Sequence, residues 1–133
     1  MSDLAVKCKS NHNGHQRGLH VVVINAETGE VETAQVFDTY QTGVGFDEFI
    51  DTAIPEGRII AAACKDECVT QLSTKAKHWF ADMGSMEIWN LKRRQGFAFI
   101  SKVKGVAEVS EARSEDESEC VSASQVFKLD DIE

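Results

Sequence analysis

The stretch RIIAAACKDEC, Arg58 to Cys68, decides how the rest of the chain is read. After Arg58 come six apolar residues, Ile59 to Cys64, with no polar alternation and too few for a helix of ordinary length. A short run of this kind is a strand buried on both faces. Three charged residues, Lys65, Asp66 and Glu67, then lie between Cys64 and a second cysteine, Cys68. The strand ends there and a polar loop begins.

Working outward, LHVVVIN (Leu19–Asn25) is β-branched, bounded by polar residues and reads as another buried strand. AETGE follows as a turn, with Gly29 where a positive φ costs least. VETAQVF (Val31–Phe37) alternates apolar and polar, so the two runs form a hairpin. FDEFIDTAI places Phe46, Phe49, Ile50 and Ala53 on one helical stripe, which Pro55 and Gly57 end. Ser73 or Thr74 caps a second helix, STKAKHWFADMG, whose Leu72, Ala76, Trp79, Phe80 and Met83 recur at three and four, with Gly84 closing it. GFAFISKV is a further strand carrying Phe97 and Phe99 on one face. Residues 106–122 form an acidic, Ser-rich mobile loop, and residues 123–133, with QVFKL, return to the sheet as a last strand. The order of elements predicts one α+β domain spanning 1–133, built on antiparallel pairing.

Composition fits that reading: 133 residues suffice for a single core, and 42% hydrophobic with 27% charged residues is ordinary globular content. The formal charge is −8, but nine acids against Arg113 and Lys128 put −7 of it after Val106. Residues 1–105 are therefore close to neutral. A nucleic-acid binder shows a basic face, and only LKRRQ (Leu91–Gln95) offers one, so nucleic acid is excluded as a partner. No apolar run reaches the ~20 residues of a membrane span, and membrane insertion is not expected. The N-terminus has no apolar stretch behind basic residues, as a cleaved leader would.

Individual motifs point weakly to chemistry. Cys64 and Cys68 have no matching pair of zinc ligands, so no metal site is expected. His12 and His15 lie in a Gly/Asn-rich segment where exposed polar histidines are the ordinary reading. Nothing marks a base and an orienting group around a nucleophilic cysteine. Asp66 with Glu67 has the composition of an acid/base pair, but adjacent loop acids are usually solvated. The expectation is a protein without catalytic residues, cofactor or metal.

Three segments, QRGLHVVVINAETGEVETAQVFDTY, IIAAACKDEC and AKHWFADMGSMEIWNLKRRQGFAFISKVKG, together resemble the GG domain of the interleukin-like EMT-inducer family. The likeness covers roughly residues 16–105 in order. It rests on the Arg17-Gly18 that opens a strand, the Asn25-x-x-Thr28-Gly29 hairpin, Phe37-Asp38, the acidic loop after the central strand, Met83-Gly84-Ser85 and a closing Lys104-Gly105. The same module occurs in cell-surface hyaluronidases and as the carbohydrate-binding stem domain of protein O-mannose N-acetylglucosaminyltransferase, to which VFDTY and KDE are most similar. The resemblance implies two mainly antiparallel β-sheets in a sandwich-like core with two flanking helices. It also implies a non-catalytic lectin for glycans bearing N-acetylglucosamine or galactose-type residues, on glycoproteins or glycolipids. A cytokine-like secreted factor with a protein receptor is the alternative the family equally contains.

Carried over by residue, the stem domain's sugar contacts fall on Asp66 and Arg94, with Lys65, Glu67, Gln95 and Phe97 beside them. A carboxylate and a guanidinium together satisfy vicinal hydroxyls that donate and accept, and Phe97 would cover the pyranose's apolar face. The chain departs from the stem domain at Gln95, where that has an acid, at Phe97, where it has tryptophan, and at Cys68, where it has glycine. Four cysteines in an extracellular type of domain favour disulfides: Cys64–Cys68, which would hold Asp66 still, and Cys8–Cys120 as a second. The plain alternative is a buried Cys64 and a free loop thiol at Cys68. Extracellular placement and a homodimer or higher oligomer, which would strengthen a shallow sugar site, complete the expectation.

Overall fold

The computed structural model describes residues 2–7, 17–52, 57–103, 109–117 and 121–127. Seven strands and two helices follow in the order β1 (Ser2–Lys7), β2 (Gly18–Asn25), β3 (Val31–Phe37), α1 (Val44–Asp51), β4 (Arg58–Lys65), α2 (Thr74–Asp82), a single 3₁₀ turn (Glu87–Asn90), β5 (Gln95–Lys102), β6 (Val109–Glu117) and β7 (Ser122–Phe127). Strands β3-β2-β4-β5-β6 make one sheet, antiparallel throughout, and β1 pairs antiparallel with β7 in a separate two-stranded ribbon.

The central place of β4 follows from its sequence. Ile60, Ala62 and Cys64 point to one face, joined by Leu19, Val21 and Val23 of β2 and by Phe97 and Phe99 of β5. Helices α1 and α2 cover that face with Phe46, Ala76 and Phe80. The alanines of β4 leave room for their bulky neighbours: the Phe80 ring stands edge-on to Phe97 and Phe99, centroids 5.8 and 5.3 Å away. Phe46, Phe80, Phe97 and Phe99 are all fully buried, each worth about 1.5–3 kcal/mol of transfer free energy. On the opposite face Ile59, Ala61, Ile24 and Ile100 form a smaller cluster. The ribbon of β1 and β7 lies against β4, β5 and β6.

Helix α2 begins as its sequence requires: the Ser73 hydroxyl accepts from the Ala76 amide at 2.9 Å. It ends in a Schellman turn, with Ser85 N–H bonded to Phe80 O and Gly84 N–H to Ala81 O. Gly84 has φ +107°, and a Cβ there would come within 2.6 Å of Val109 Cγ2.

Three expectations need correction. The sandwich of two sheets is not borne out, because the second sheet is only the two-stranded ribbon. Residues 109–117 are the edge strand β6 and not a loop. Their charges disguise the pattern because they have structural partners: Glu111 accepts from Ser85 Oγ and from the amides of Met86 and Glu87, and Arg113 donates to Glu87 Oε1. Finally, β7 returns to β1, a strand the sequence does not announce.

Candidate functional site

At one end of the sheet β2 begins, β4 ends and β5 begins. Gly18 is paired with Lys65, so Arg17 and Asp66, one step further on, lie at the same end. Gly18 has φ +117°, and a Cβ on it would stand 2.1 Å from the Phe37 carbonyl oxygen. Only glycine fits where the Arg17-Gly18 pair enters the sheet.

A disulfide joins Cys64 to Cys68, Cα to Cα 5.8 Å, and ties off the ring that contains Lys65, Asp66 and Glu67. Glu67 turns inward and is 2% exposed. Its Oε2 accepts from the amides of Val69 (2.7 Å) and Thr70 (2.8 Å), and its Oε1 from the amide of Arg94 (3.0 Å). A buried carboxyl group that accepts from three N–H donors is held rigidly. It fastens the disulfide loop to the basic turn that leads into β5. Gln95 does similar work from the other side: its Oε1 accepts from the Lys92 amide and its Nε2 donates to Glu115 O.

Asp66 and Arg94 are then brought face to face. Arg94 Nη2 lies 3.6 Å from Asp66 Oδ1, with the side chains 45% and 17% exposed. Among the described residues they are the only non-glycine positions with positive φ, +64° in each case. Left-handed backbone is tolerable for aspartate but costs an arginine about 1–2 kcal/mol. Surroundings must enforce such a conformation, and it recurs where a side chain has to be aimed. Lys92, Arg93, Arg94, Gln95 and Glu115 line a shallow depression of about 540 Å³.

A second pair completes this end. Arg17 grips Asp38 with two hydrogen bonds, Nε to Oδ1 at 3.0 Å and Nη2 to Oδ2 at 2.7 Å. Its guanidinium also stacks 4.4 Å above the Tyr40 ring. The hydrogen bonds from Arg17 hold the Asp38 carboxyl below the usual carboxylate range. In turn the hydrogen bonds to Asp38, helped by the charge of Asp66, raise the pKa of Arg17. The hydroxyl of Thr39, fully buried between Asp38 and Tyr40, has no hydrogen-bond partner.

Of the six site residues expected from sequence, Asp66 and Arg94 meet, and Lys65, half-buried, ends β4 next to them. Glu67 and Gln95 are buried supports, because every contact described above turns them into the fold. Phe97 is 0% exposed, packed between Phe80 and Phe99, so it cannot cover a sugar ring. Arg17, Asp38 and Tyr40, which stand at the same end, are not among the six. The signal was present in the Arg17-Gly18 and Phe37-Asp38-Thr39-Tyr40 motifs, which read as fold markers only. Cys8, Cys120, His12 and His15 lie outside the described residues. Among the described residues no group of three His, Cys, Asp or Glu side chains could hold a metal ion, and no helix is long and apolar enough to cross a membrane.

Comparison with known proteins identifies the family. The family model described as "Interleukin-like EMT inducer" matches residues 17–105. Human Protein FAM3C is 36% identical over 88 residues, which are 65% of this chain and 38% of that protein. Human Protein FAM3B is 32% identical over 101 residues, 74% of this chain and 42% of that protein. The mouse "Cell migration-inducing and hyaluronan-binding protein" is 35% identical over 94 residues, 69% of this chain but 7% of that much longer protein. The chain thus spans less than half the length of these relatives. It belongs to the interleukin-like EMT-inducer family.

Proposed function

We propose that the chain is a non-catalytic glycan-binding domain whose site is the Asp66–Arg94 end of the sheet. The observation that carries the reading is the pair of enforced left-handed residues, one acid and one base, set 3.6 Å apart on a disulfide-closed support. The carboxylate accepts from sugar hydroxyls while the planar guanidinium donates to two of their oxygens. Preorganisation matters for a shallow site, since ordering two charged side chains on binding would otherwise consume much of the affinity. Tyr40, half-buried beneath Arg17, takes the place of Phe97 as the aromatic at this end. The acid next to Asp66 is Glu67, already committed to three amides, so no free acid/base pair stands at the site.

Hyaluronan-binding relatives support glycans as the ligand class. N-acetylglucosamine, the sugar bound by the stem domain that the KDE loop resembles, is the monosaccharide of first choice, with galactose-type sugars second. A disulfide in the site loop suits an oxidising, extracellular setting, and glycoproteins or glycolipids are the natural carriers there. The cytokine-like reading draws support from a different surface: Met86 is 78% and Trp89 47% exposed at the 3₁₀ turn, an apolar spot suited to a protein receptor.

The test is a glycan array that includes β-linked N-acetylglucosamine, galactose and hyaluronan oligosaccharides, followed by calorimetry with Asp66→Asn. Asparagine keeps the left-handed backbone and removes only the charge. Affinity should fall about ten- to hundredfold, the loss of a charge-assisted hydrogen bond. An array without any binder would move the choice to a protein receptor, and unchanged affinity would remove Asp66 from the site.

A further inference from the structure

We propose that β3 is a dimerisation edge, pairing antiparallel with β3 of a second copy about an axis through Ala34, so that two five-stranded sheets join into one of ten strands. Strand β3 ends the sheet order and, among the described residues, pairs only with β2. Its outward row of backbone N–H and C=O groups is a template for another strand. Five of its seven residues are exposed, Val31 by 61% and Val36 by 41%; only its last residue, Phe37, packs against Phe46 and Phe49 of α1.

Natural edges are guarded by charge, proline or a covering element. Strand β3 carries no lysine, arginine or proline. Its one charge, Glu32, is tied to Arg58 Nε at 2.7 Å and Asn25 Nδ2 at 3.0 Å. The one irregularity in its pairing also falls there, towards the strand's beginning. The other edge is the opposite case: β6 carries Glu111, Arg113, Glu115, Asp116 and Glu117, and β7 lies against it. Among the described residues one edge of this sheet is guarded and the other, beyond Glu32, is not.

The sequence of β3 also selects a register. Centred on Ala34, the whole of Val31–Phe37 pairs: Thr33 with Gln35, Glu32 with Val36, Val31 with Phe37. No like charges meet, and the smallest side chain of the strand sits on the axis, where two copies of it must face each other. Each copy has a formal charge of −8, so the copies repel at long range and added salt should tighten the dimer.

Sedimentation equilibrium of the full chain without sugar tests the proposal independently of the glycan reading. The expected result is a monomer–dimer equilibrium that tightens with sodium chloride. Ala34→Lys, which sets two ammonium groups opposite each other on an exposed strand, should weaken it by about tenfold or more, with the circular dichroism of the monomer unchanged. Under mild oxidation Ala34→Cys should give a dimer that dithiothreitol splits, and Thr33→Cys, which faces Gln35, should not. A wild-type chain that stays monomeric at all concentrations and salts overturns the proposal. So does association indifferent to Ala34→Lys, or equal crosslinking of the two cysteine variants.

Discussion

The two ends of β4 both require left-handed backbone, and they obtain it from different residues. At the hairpin end Gly29 (φ +80°) and Gly57 (φ +87°) supply it, as sequences ordinarily do. At the other end Gly18 (φ +117°) does so too, but Asp66 and Arg94 also take φ +64° with their side chains intact. The hairpin end is otherwise held by inexpensive local means: Asn25 Oδ1 accepts from the amides of Glu27 and Thr28, and Arg58 pairs with the exposed Glu32. The far end needs a disulfide, a buried carboxylate and a buried amide to hold the same geometry. Strain at the far end costs stability that glycine would spare, and what it retains is two oppositely charged side chains with fixed directions. That is the physical case for placing function there.

The largest effect expected from this contrast is at Glu67. Glu67→Ala strips the acceptor from the amides of Val69, Thr70 and Arg94 at once, and each N–H left unpaired costs about 1–3 kcal/mol. Allowing for water entering the gap, we expect a loss of about 3 kcal/mol in urea denaturation, with glycan binding lost in the folded fraction as the basic turn comes loose. A variant of wild-type stability would show that the two loops hold their shape without the carboxylate, and the two ends would then differ less than their geometry suggests.

How much of this was legible in sequence depends on distance along the chain. The central strand, the hairpin and the Ser73 cap could be read because their signals are local, a buried run, an Asn/Gly turn and a hydroxyl before a helix. Asp66 and Arg94 were reached through family resemblance; their meeting depends on the antiparallel alignment of β4 and β5, which no local pattern records. Phe97 was misplaced for a related reason. An aromatic three residues from Arg94 seems close to it, but strand alternation turns Phe97 into the helix-covered face. Strand β6 was hidden because Glu111 and Arg113, which look like loop charges, serve the 3₁₀ turn. Long-range partners decide each of these cases.

A smaller effect with an unusual sign is expected at Arg94. Arg94→Gly relieves left-handed backbone in a residue that is 45% exposed, so the folded state should gain about 1 kcal/mol or less, offset in part by the greater freedom of the unfolded chain. Binding should disappear in the same protein. Arg94→Lys is the complementary variant: it keeps charge and strain, gives up the two-pronged donor, and should lose about 1–3 kcal/mol of binding free energy. Thermal melts beside calorimetry separate the two quantities. If Arg94→Gly binds normally, the strain has another purpose and the basic turn is only a surface feature.

The smallest effect separates the ion pairs at the two ends by pH. Asp38 is held below the usual carboxylate range, first by the hydrogen bonds from Arg17 and then by the Gln41 amide, against a burial that works the other way. Glu32 is lowered chiefly by Arg58 and next by Asn25. For each, the unfolded chain takes up its proton near the ordinary carboxylate pKa of ~4 while the folded chain holds out to lower pH. Their contribution to stability is therefore complete above that range and disappears as pH falls through the folded pKa. Urea midpoints of the wild type, Asp38→Asn and Glu32→Gln from pH 6 down to pH 2 should start apart and converge as the wild type loses its advantage. The two variants should part company in salt. Arg17 meets Asp38 through two hydrogen bonds and lies against Tyr40, whereas Arg58 gives Glu32 a single one, so 0.5 M sodium chloride should weaken the two-pronged pair less. The Asp38→Asn deficit at pH 6 should largely survive in salt and the Glu32→Gln deficit should shrink. Deficits that fade together would mean that the Arg17–Asp38 pair is an ordinary surface ion pair, and would leave Asp66 and Arg94 as the whole of the difference between the two ends.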